Sequence, residues 1–350
     1  MMKKFTIKLM VGVAILFFGF NQVKAQDDLD KLLEAGISDA NLLIEGYVDP
    51  FMKGFGTSLG SGWYNTAKAH KSAGFDLTVT VNAAYVPDKD LFYDLNALNL
   101  SSNITYDKNQ APTIFGTKDV QQIPTYTVTD PNTNESASFD APEGLDLKEE
   151  IGMQAVPVPM AQLGVGIIKN TDIKIRWTPE IDIDDNGTFK LIGFGIMHDV
   201  KQHIPGIKNL PFDLSAFVGY TSVSTEVAFD EEVNAGSGGV STTNGLGVFD
   251  VNTLTVQGII SKKFSVLTLY GGLGFNRVRS ELKLKGDYVV TDDFGVVDEV
   301  YKDPIDLSFK TGGPRMTAGM RLKLAIFTLH ADYTVQKYDV LTVGFGFSVR

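Results

Sequence analysis

Hydrophobic residues recur at every second position over long stretches of the chain from Phe75 onward. Between Phe75 and Tyr85 the intervening residues are mostly Asp, Thr and Asn, and between Phe327 and Val335 they are Thr, His and Asp. The same alternation closes the chain in the sequence LTVGFGFSVR. A period of two places successive side chains on opposite faces of a strand, so the pattern predicts β-strands with one apolar and one polar face.

Several alternating segments are too long for an ordinary soluble sheet. Phe264–Lys285 and Ile305–Ala325 span 22 and 21 residues, whereas soluble strands usually have about 5–6. Outer-membrane barrels need about 9–11 residues to cross the lipid and extend their strands beyond it. We therefore predict an all-β fold, a closed antiparallel transmembrane β-barrel of 10–14 strands, in which Asn99–Asn109 and Pro112–Asp130 supply strands beyond ten. A secreted soluble β-protein is the alternative.

The connections between these strands differ in length on the two sides of the predicted barrel. If the C-terminus lies in the periplasm, three long polar segments fall outside the cell: Pro87–Met153, Glu231–Val251 and Gly286–Pro304. The periplasmic side receives short connections at Asn170–Thr171, Lys262–Lys263 and Ala325. This asymmetry is typical of outer-membrane barrels. His198–Pro211 is the long exception on the periplasmic side, and we predict a short amphipathic helix or lid there.

The first 25 residues have the pattern of a signal peptide. A basic start is followed by the apolar stretch Leu9–Phe20 and by small residues before Gln26. That stretch is shorter than the roughly 20 residues of a spanning helix. We expect an exported protein in the outer membrane of a Gram-negative bacterium, with a signal anchor as the alternative.

Charge and cysteine content narrow the function classes. The chain has 31 basic and 42 acidic residues, a formal net charge of −11, and no cysteine. An acidic surface argues against nucleic acid as a partner. Without cysteine the chain has no disulfides, no thiolate metal site and no lipid-anchor cysteine. We expect no cofactor.

The segment between the signal and the first strand differs from the rest of the chain. Asp27–Ile44 has a helical pattern that predicts two short helices broken at Gly36. Gly46–Phe75 is rich in glycine and aromatic residues and has no regular period. Because glycines allow close backbone packing and aromatics fill space, we assign residues 26–73 to a plug inside the barrel and residues 74–350 to the barrel.

These features together resemble an outer-membrane protein, and more narrowly the long-chain fatty-acid channel superfamily. The resemblance to the family's N-terminal hatch covers Asp28–Ala73, and Gly193–Tyr220 is similar to a strand, a periplasmic connection and a second strand of the family. The resemblance implies a hatch that plugs the barrel and apolar molecules that pass through the lumen. The chain departs from the family in being shorter than the fourteen-stranded classical channel and in ending on Arg350 instead of an aromatic residue.

Two sets of candidate site residues follow. An apolar, fatty-acid-like small molecule is predicted to bind among apolar plug residues, which are Phe51, Met52, Phe55, Leu59, Trp63 and Tyr64. Charged residues on polar strand faces are predicted to line the lumen, and these are Arg277, Arg279, Glu281, Arg321, Lys323, His330 and Asp332. The predicted function is passive uptake of apolar small molecules. A structural barrel that transports nothing and presents its loops to a partner is the alternative.

Motifs of other functions are incomplete in this chain. Asp182–Gly187 resembles the start of a calcium loop, but Gly193 occupies the position of the loop's bidentate glutamate. We therefore predict a hairpin turn at Asn186-Gly187, and a weak calcium contact is the alternative. The glycines between Gly54 and Gly62 lack the strand and helix of a nucleotide site.

Catalysis and metal binding have little support in the sequence. The sequence places no nucleophile near a base, and His198 and His203 are five residues apart, which does not align them on a helical face as metal ligands. We expect neither an enzyme nor a metal site. The acidic segment Gly286–Pro304 is interpreted as a solvated loop, with a divalent-ion bridge to lipopolysaccharide as the alternative. The expected partner is outer-membrane lipid.

Overall fold

The computed structural model describes residues 36–129, 134, 136–168, 170–183, 187–231, 239–291 and 297–349. The predicted signal peptide and the first predicted helix lie outside these residues. The helices are α1 (Ile37–Leu59) and α2 (Leu147–Ile151), with short 3-10 helices at Asp88–Asp90, Leu95–Ala97 and Lys201–His203. The strands are β1 (Phe75–Tyr85), β2 (Phe92–Asp94), β3 (Ile104–Tyr106), β4 (Gln110–Pro112), β5 (Thr125–Thr129), β6 (Ser136–Asp140), β7 (Ala155–Gly166), β8 (Thr171–Ile183), β9 (Gly187–Asp199), β10 (Asp213–Glu231), β11 (Gly239–Phe264), β12 (Leu267–Thr291), β13 (Val297–Lys302), β14 (Ile305–Leu324), β15 (Phe327–Val335) and β16 (Val340–Val349).

Ten of the described strands form one closed antiparallel ring. Around the ring the order is β1, β7, β8, β9, β10, β11, β12, β14, β15 and β16, and β16 pairs with β1 to close it. The closing register joins Phe75 to Val349, the first and last paired residues of the barrel. Each ring strand has a paired neighbour on both sides, which allows the strands to cross lipid, although β7 and β8 pair only over Gln162–Gly166 and Asp172–Arg176. The predicted closed antiparallel barrel is confirmed.

The ring carries apolar side chains on its outer face and polar side chains on its inner face, the reverse of a soluble protein. On β1 the outward side chains of Phe75, Leu77, Val79 and Val81 are 37–45% exposed, whereas the inward Asp, Thr and Asn side chains are at most 5% exposed. The other ring strands continue the exposed apolar belt through residues such as Phe194, Leu273, Leu329 and Phe345. Apolar side chains that face outward while polar ones are buried indicate a barrel surrounded by lipid.

No helix among the described residues is long and apolar enough to cross a membrane.

The two ends of the barrel differ in the length of their connections, and we call them the turn end and the cap end. The turn end carries short connections, among them Ser265–Val266 and Ala325–Ile326. The turn predicted at Lys262–Lys263 is wrong, because both lysines pair within the β11–β12 ladder and the turn lies at Ser265–Val266. The longer connection between β9 and β10 also lies there and contains a 3-10 helix. The opposite end, the cap end, carries the 19- and 26-residue strands β10 and β11 beyond the belt. Much of the predicted loop Glu231–Val251 is therefore strand.

The described residues between 86 and 154, which we call the cap, fold over the cap end. Their short strands form two small sheets, β2–β4 and β3–β5–β6, which do not join the ring, so the extra barrel strands considered for Asn99–Asn109 and Pro112–Asp130 are wrong. The cap has its own apolar core, shared with the first turns of α1: Ala40, Leu43, Leu95, Ala111, Ile123, Tyr126, Phe139 and Ala141. The cap and the start of α1 are thus one packed unit.

Helix α1 occupies much of the segment that has no regular sequence period. It begins at Ile37, directly after the break predicted at Gly36, and continues for 23 residues through Pro50. The single helix corrects the expectation that Gly46 onward is irregular. Glycine and proline lower helix propensity, but packing on all sides overrides propensity.

Candidate functional site

The C-terminal half of α1 lies inside the barrel, where it contacts β1, β7, β11, β12 and β14. Four predicted ligand-binding residues are on this half, and all are buried: Phe51, Met52, Phe55 and Leu59. The rings of Phe51 and Phe55 stack with centroids 5.8 Å apart, and Phe55 meets Phe249 of β11 edge-on at 5.4 Å. These residues form a packed core between the helix and the barrel wall.

The wall around α1 is itself apolar. Its inward, buried side chains come from six ring strands and are Val156, Val158, Met160, Leu191, Val223, Phe249, Val251, Val278, Leu307 and Phe309. Toward the turn end the inward residues become polar, as where Gln162 follows Met160 on β7. A water-filled barrel has a polar lining throughout. This barrel has an apolar bore at the cap end and a polar bore at the turn end.

Two glycines set the distance between α1 and the wall. A Cβ atom on Gly54 would lie 2.7 Å from Cγ2 of Val156, and one on Gly56 would overlap Cγ1 of Val278. Ordinary van der Waals contact between carbons begins near 3.5 Å. Only glycine therefore lets the helix backbone approach β7 and β12 this closely.

Trp63 and Tyr64, the other two predicted ligand-binding residues, lie just beyond the end of α1. The Trp63 ring packs against Phe217 at 5.4 Å, and Tyr64 meets Tyr270 edge-on at 6.0 Å. Burial leaves Trp63 1% and Tyr64 6% exposed. The aromatic layer closes the apolar bore on the side of the turn end.

Two buried arginines hold the chain at this layer. Arg176 of β8 donates from Nη1 to the Leu59 carbonyl at 2.8 Å and from Nη2 to the Ser61 carbonyl at 2.6 Å, and its guanidinium lies 3.6 Å from the Trp63 ring centre. Arg315 of β14 donates from Nη1 to the Gly60 carbonyl at 2.9 Å. Cations at the C-terminus of a helix complement its unpaired carbonyls and dipole.

These arginines were not among the predicted site residues. The sequence did carry a signal for Arg176, which occupies the polar face of an alternating segment together with Lys174. Nothing in that pattern shows that the partner is the end of a helix more than a hundred residues earlier in the chain.

The polar bore at the turn end contains paired charges. The His70 amide donates to Asp172 Oδ1 at 2.8 Å, and His70 Nδ1 lies 2.9 Å from Asp172 Oδ2. Lys174 lies 3.8 Å from Asp76, and the Tyr270 hydroxyl donates to Asp332 Oδ2 at 2.8 Å. Buried charges are tolerated where they are paired or hydrogen-bonded.

The predicted lumen-lining residues divide into two groups. Arg321, His330 and Asp332 face inward and are 3–6% exposed, and Lys323 is half-buried and donates to the Ser348 carbonyl at 2.8 Å. The prediction is wrong for three others, Arg277, Arg279 and Glu281, which face outward and are exposed. On that part of β12 the inward residue is Val278, 1% exposed against α1, so the charged row takes the outer face.

His198 and His203 come together although they are five residues apart. His198 ends β9 and His203 lies on the following 3-10 helix, which brings their Nε2 atoms to 2.9 Å. Among the described residues no group of three or more His, Cys, Asp or Glu side chains could hold a metal ion. Of the predicted Asn186-Gly187 turn, only Gly187 is described, and β8 and β9 pair as the expected hairpin.

The cap anchors the start of α1. Asp39 accepts hydrogen bonds from the Ser101 amide at 3.0 Å and from its hydroxyl at 2.5 Å. Outside the cap, Asn41 donates to the Pro304 carbonyl, between β13 and β14, at 2.9 Å. In the shared core, burial raises the pKa of Tyr126 to about 12. The helix is therefore held at its N-terminus by the cap and at its C-terminus by the two arginines.

A family model described as a family of unknown function, DUF6588, matches residues 2–349, and the chain belongs to this family. A comparison with curated proteins finds no match.

Solved structures similar to the chain include Ail, the attachment invasion locus protein of Yersinia pestis, with 11% identity over 79% of this chain and 98% of that one and a TM-score of 0.24. The translocator domain of the autotransporter NalP from Neisseria meningitidis has 10% identity over 80% and 90%, with a TM-score of 0.28. A mutant of the monoaromatic hydrocarbon channel TodX has 10% identity over 80% and 68%, with a TM-score of 0.24. Scores this low carry no argument about function, so the fold rests on the strand pairing of the chain itself.

Proposed function

We propose that this DUF6588 chain is an outer-membrane channel for the passive uptake of apolar small molecules, and that residues 36–73 act as its plug. The observation that carries the proposal is the apolar wall of the bore at the cap end. If α1 moves away from residues such as Val156, Val251 and Val278, it leaves a dry apolar space inside the barrel. Apolar ligands favour such spaces, whereas ions and sugars do not.

The plug controls access in two places. At the cap end, the shared core packs α1 against the cap, so a ligand enters only when α1 and the cap separate. Near the middle, Arg176 and Arg315 hold the carbonyls of residues 59–61 and close the apolar bore toward the polar one. Passage therefore requires a minor state in which the plug has shifted, with the closed state dominant in the absence of ligand.

Uptake of two matched dyes by a Gram-negative host tests the substrate class. N-phenyl-1-naphthylamine is apolar and fluoresces when it enters the cell envelope, and 8-anilino-1-naphthalenesulfonate is the same aromatic system with a sulfonate. We expect expression of the chain to speed uptake of the first dye and leave uptake of the second unchanged. Equal acceleration of both dyes would indicate a water-filled pore, and acceleration of neither would remove the channel proposal.

A second candidate is a non-transporting barrel that presents its cap to a partner. A cleft of about 700 Å³ on the cap favours it, because its lining combines one aromatic ring with amide and charged side chains: Phe92, Asp94, Asn96, Lys108, Asn109, Gln110, Gln121 and Gln122. Such side chains offer many donors and acceptors for a polar partner. A purified partner whose binding is lost on Gln110→Ala and Gln122→Ala, together with no dye uptake, would favour this candidate.

A further inference from the structure

The outer face of the barrel changes character along β12. Leu273 and Phe275 face outward in the apolar belt and are 66% and 54% exposed. The next outward residues toward the cap end are Arg277 and Arg279, both exposed. The change occurs within two residues, a rise of about 7 Å along the strand. The first cation therefore lies directly at the border of the lipid-facing surface.

A third cation joins them from the neighbouring strand. Lys310 of β14 is exposed on the outer face and is the direct cross-strand partner of Arg279. Directly opposed residues have Cβ atoms about 4.5–5.5 Å apart, and like charges in this arrangement destabilise the pair. We name Arg277, Arg279 and Lys310 the cationic patch.

The described part of the chain does not neutralise this patch. None of its three side chains forms an ion pair or a hydrogen bond with another described residue. Lys283 on the same face shows the contrast, because it lies 2.9 Å from Glu281 and 3.7 Å from Asp306.

Arg279 also has Asn252 of β11 as its other cross-strand neighbour, but the Oδ1 atom of Asn252 already accepts the Tyr220 hydroxyl at 2.6 Å. Three cations within about 7 Å, two of them opposed, thus have no ion-pair partner among the described residues, and Glu281, the next outward residue of β12, is paired with Lys283.

Aromatic residues place the patch at the level of lipid headgroups. Trp177, Tyr220 and Phe275 are exposed near the border of the belt, where membrane barrels carry an aromatic girdle. The patch lies next to this girdle, toward the cap end with its long connections, and in outer-membrane barrels the long connections face outside the cell. A headgroup at this depth contacts the three cations while its acyl chains cover Leu273 and the neighbouring apolar side chains.

We propose that the cationic patch binds the phosphate groups of a glycolipid of the outer leaflet, an acylated disaccharide that carries two phosphates. Arginine forms paired hydrogen bonds with phosphate, and two arginines with a lysine match a headgroup with more than one negative charge better than a zwitterionic one. The binding site holds lipid on the outer surface of the barrel and has no role in the bore. The proposal rests on the outer-membrane location proposed above and is independent of transport.

Binding of defined lipids to the purified full-length barrel in detergent tests this proposal. The probes are bisphosphorylated lipid A, the same lipid A after removal of its phosphates, phosphatidylethanolamine and inorganic phosphate. The patch variant replaces the three cations: Arg277→Gln, Arg279→Gln and Lys310→Gln. The control variant removes the same charge at the turn end: Lys208→Gln, Lys262→Gln and Lys263→Gln. Heat-modifiable mobility on gels reports folding of each variant.

We expect the patch variant to bind bisphosphorylated lipid A at least tenfold more weakly than the wild type, with the control variant within twofold of it. Removal of the phosphates from lipid A should weaken wild-type binding by a similar factor. Unchanged affinity of the patch variant, equal loss in both variants, or equal binding of dephosphorylated lipid A or phosphatidylethanolamine would overturn the proposal. Tight binding of inorganic phosphate alone would show an ion site instead of a lipid site.

Two milder variants keep the test valid if the triple variant does not fold. Arg279→Gln alone should give a partial loss of affinity. Arg277→Lys with Arg279→Lys keeps the charge and should keep most of the binding. A failure of lipid binding leaves dye uptake unaffected, and a failure of dye uptake leaves lipid binding unaffected, so the two proposals are distinguishable.

Discussion

Replacing Arg176 with methionine should shift the plug toward its open state. The substitution removes two hydrogen bonds from a charged donor to the carbonyls of Leu59 and Ser61, and the stacking on Trp63. Such bonds contribute about 1.5–3 kcal/mol each, and relief of the buried charge offsets part of the loss. We expect a net loss of about 2 kcal/mol from the closed state, which raises the open fraction roughly 30-fold.

Conductance across planar bilayers measures this shift directly. Arg176→Met should increase the frequency of openings and the rate of N-phenyl-1-naphthylamine uptake, at equal amounts of folded barrel. Lys263→Met is the control, because it removes a positive charge from an exposed side chain at the turn end, away from the plug and from the cationic patch. If Arg176→Met opens no more often than this control, the contact between Arg176 and the plug does not hold the channel closed.

Three further predictions concern packing, pH and lipid exposure. Gly56→Leu overlaps Val278 and should destabilise the docked helix by about 1–3 kcal/mol, seen as faster proteolysis of the N-terminal segment. Gly258→Ala should not, because its added methyl group meets only the Leu273 carbonyl oxygen, at an ordinary contact distance of 3.9 Å; equal proteolysis of both variants would refute the close approach. Because the pKa of Tyr126 is raised to about 12 and unfolded tyrosine ionises near 10, the contribution of Tyr126 to the stability of the cap should be fully present below pH 10 and lost by pH 12, measured by urea unfolding at each pH; no fall in stability, or the same fall in Tyr126→Phe, would contradict this. Phe345→Arg places a charge on the lipid face and should cost about 2–4 kcal/mol in refolding titrations with lipid vesicles; a neutral result would indicate a face in water.

Much of the barrel follows from the sequence because the alternation of side chains has a direct physical cause. On β1 and β15 one face contacts lipid and the other faces the filled bore, so apolar residues take the outer face and polar residues the inner face. Where the strands extend beyond the lipid, the alternation no longer predicts which side chains face outward. On β12, apolar residues face outward up to Phe275 but inward at Val278, because solvent surrounds the strand there and α1 fills the bore. The reversal explains why Arg277 and Arg279 were assigned to the wrong face.

The helical structure of residues 37–59 could not be read from local sequence. Gly46, Pro50 and Gly56 all disfavour a helix, yet α1 runs through them because the cap packs against its first turns and the barrel wall buries its C-terminal half. The cap was predicted as a loop, with further barrel strands considered at Asn99–Asn109 and Pro112–Asp130, because its own strands have only three to five residues and are too short to show a period. The aromatic residues of the candidate site were identifiable from composition, but their arginine partners depend on the ring closure.

A disulfide between α1 and the wall tests the central claim that movement of the plug opens the channel. A Cβ atom on Gly54 would lie 3.5 Å from that of Val156, within the range that a disulfide requires, and the chain has no other cysteine to interfere. In the double variant Gly54→Cys, Val156→Cys, we expect oxidation to abolish uptake of N-phenyl-1-naphthylamine and reduction to restore it, while each single variant responds to neither treatment. Uptake that is equally fast in the oxidised and reduced double variant would contradict the account.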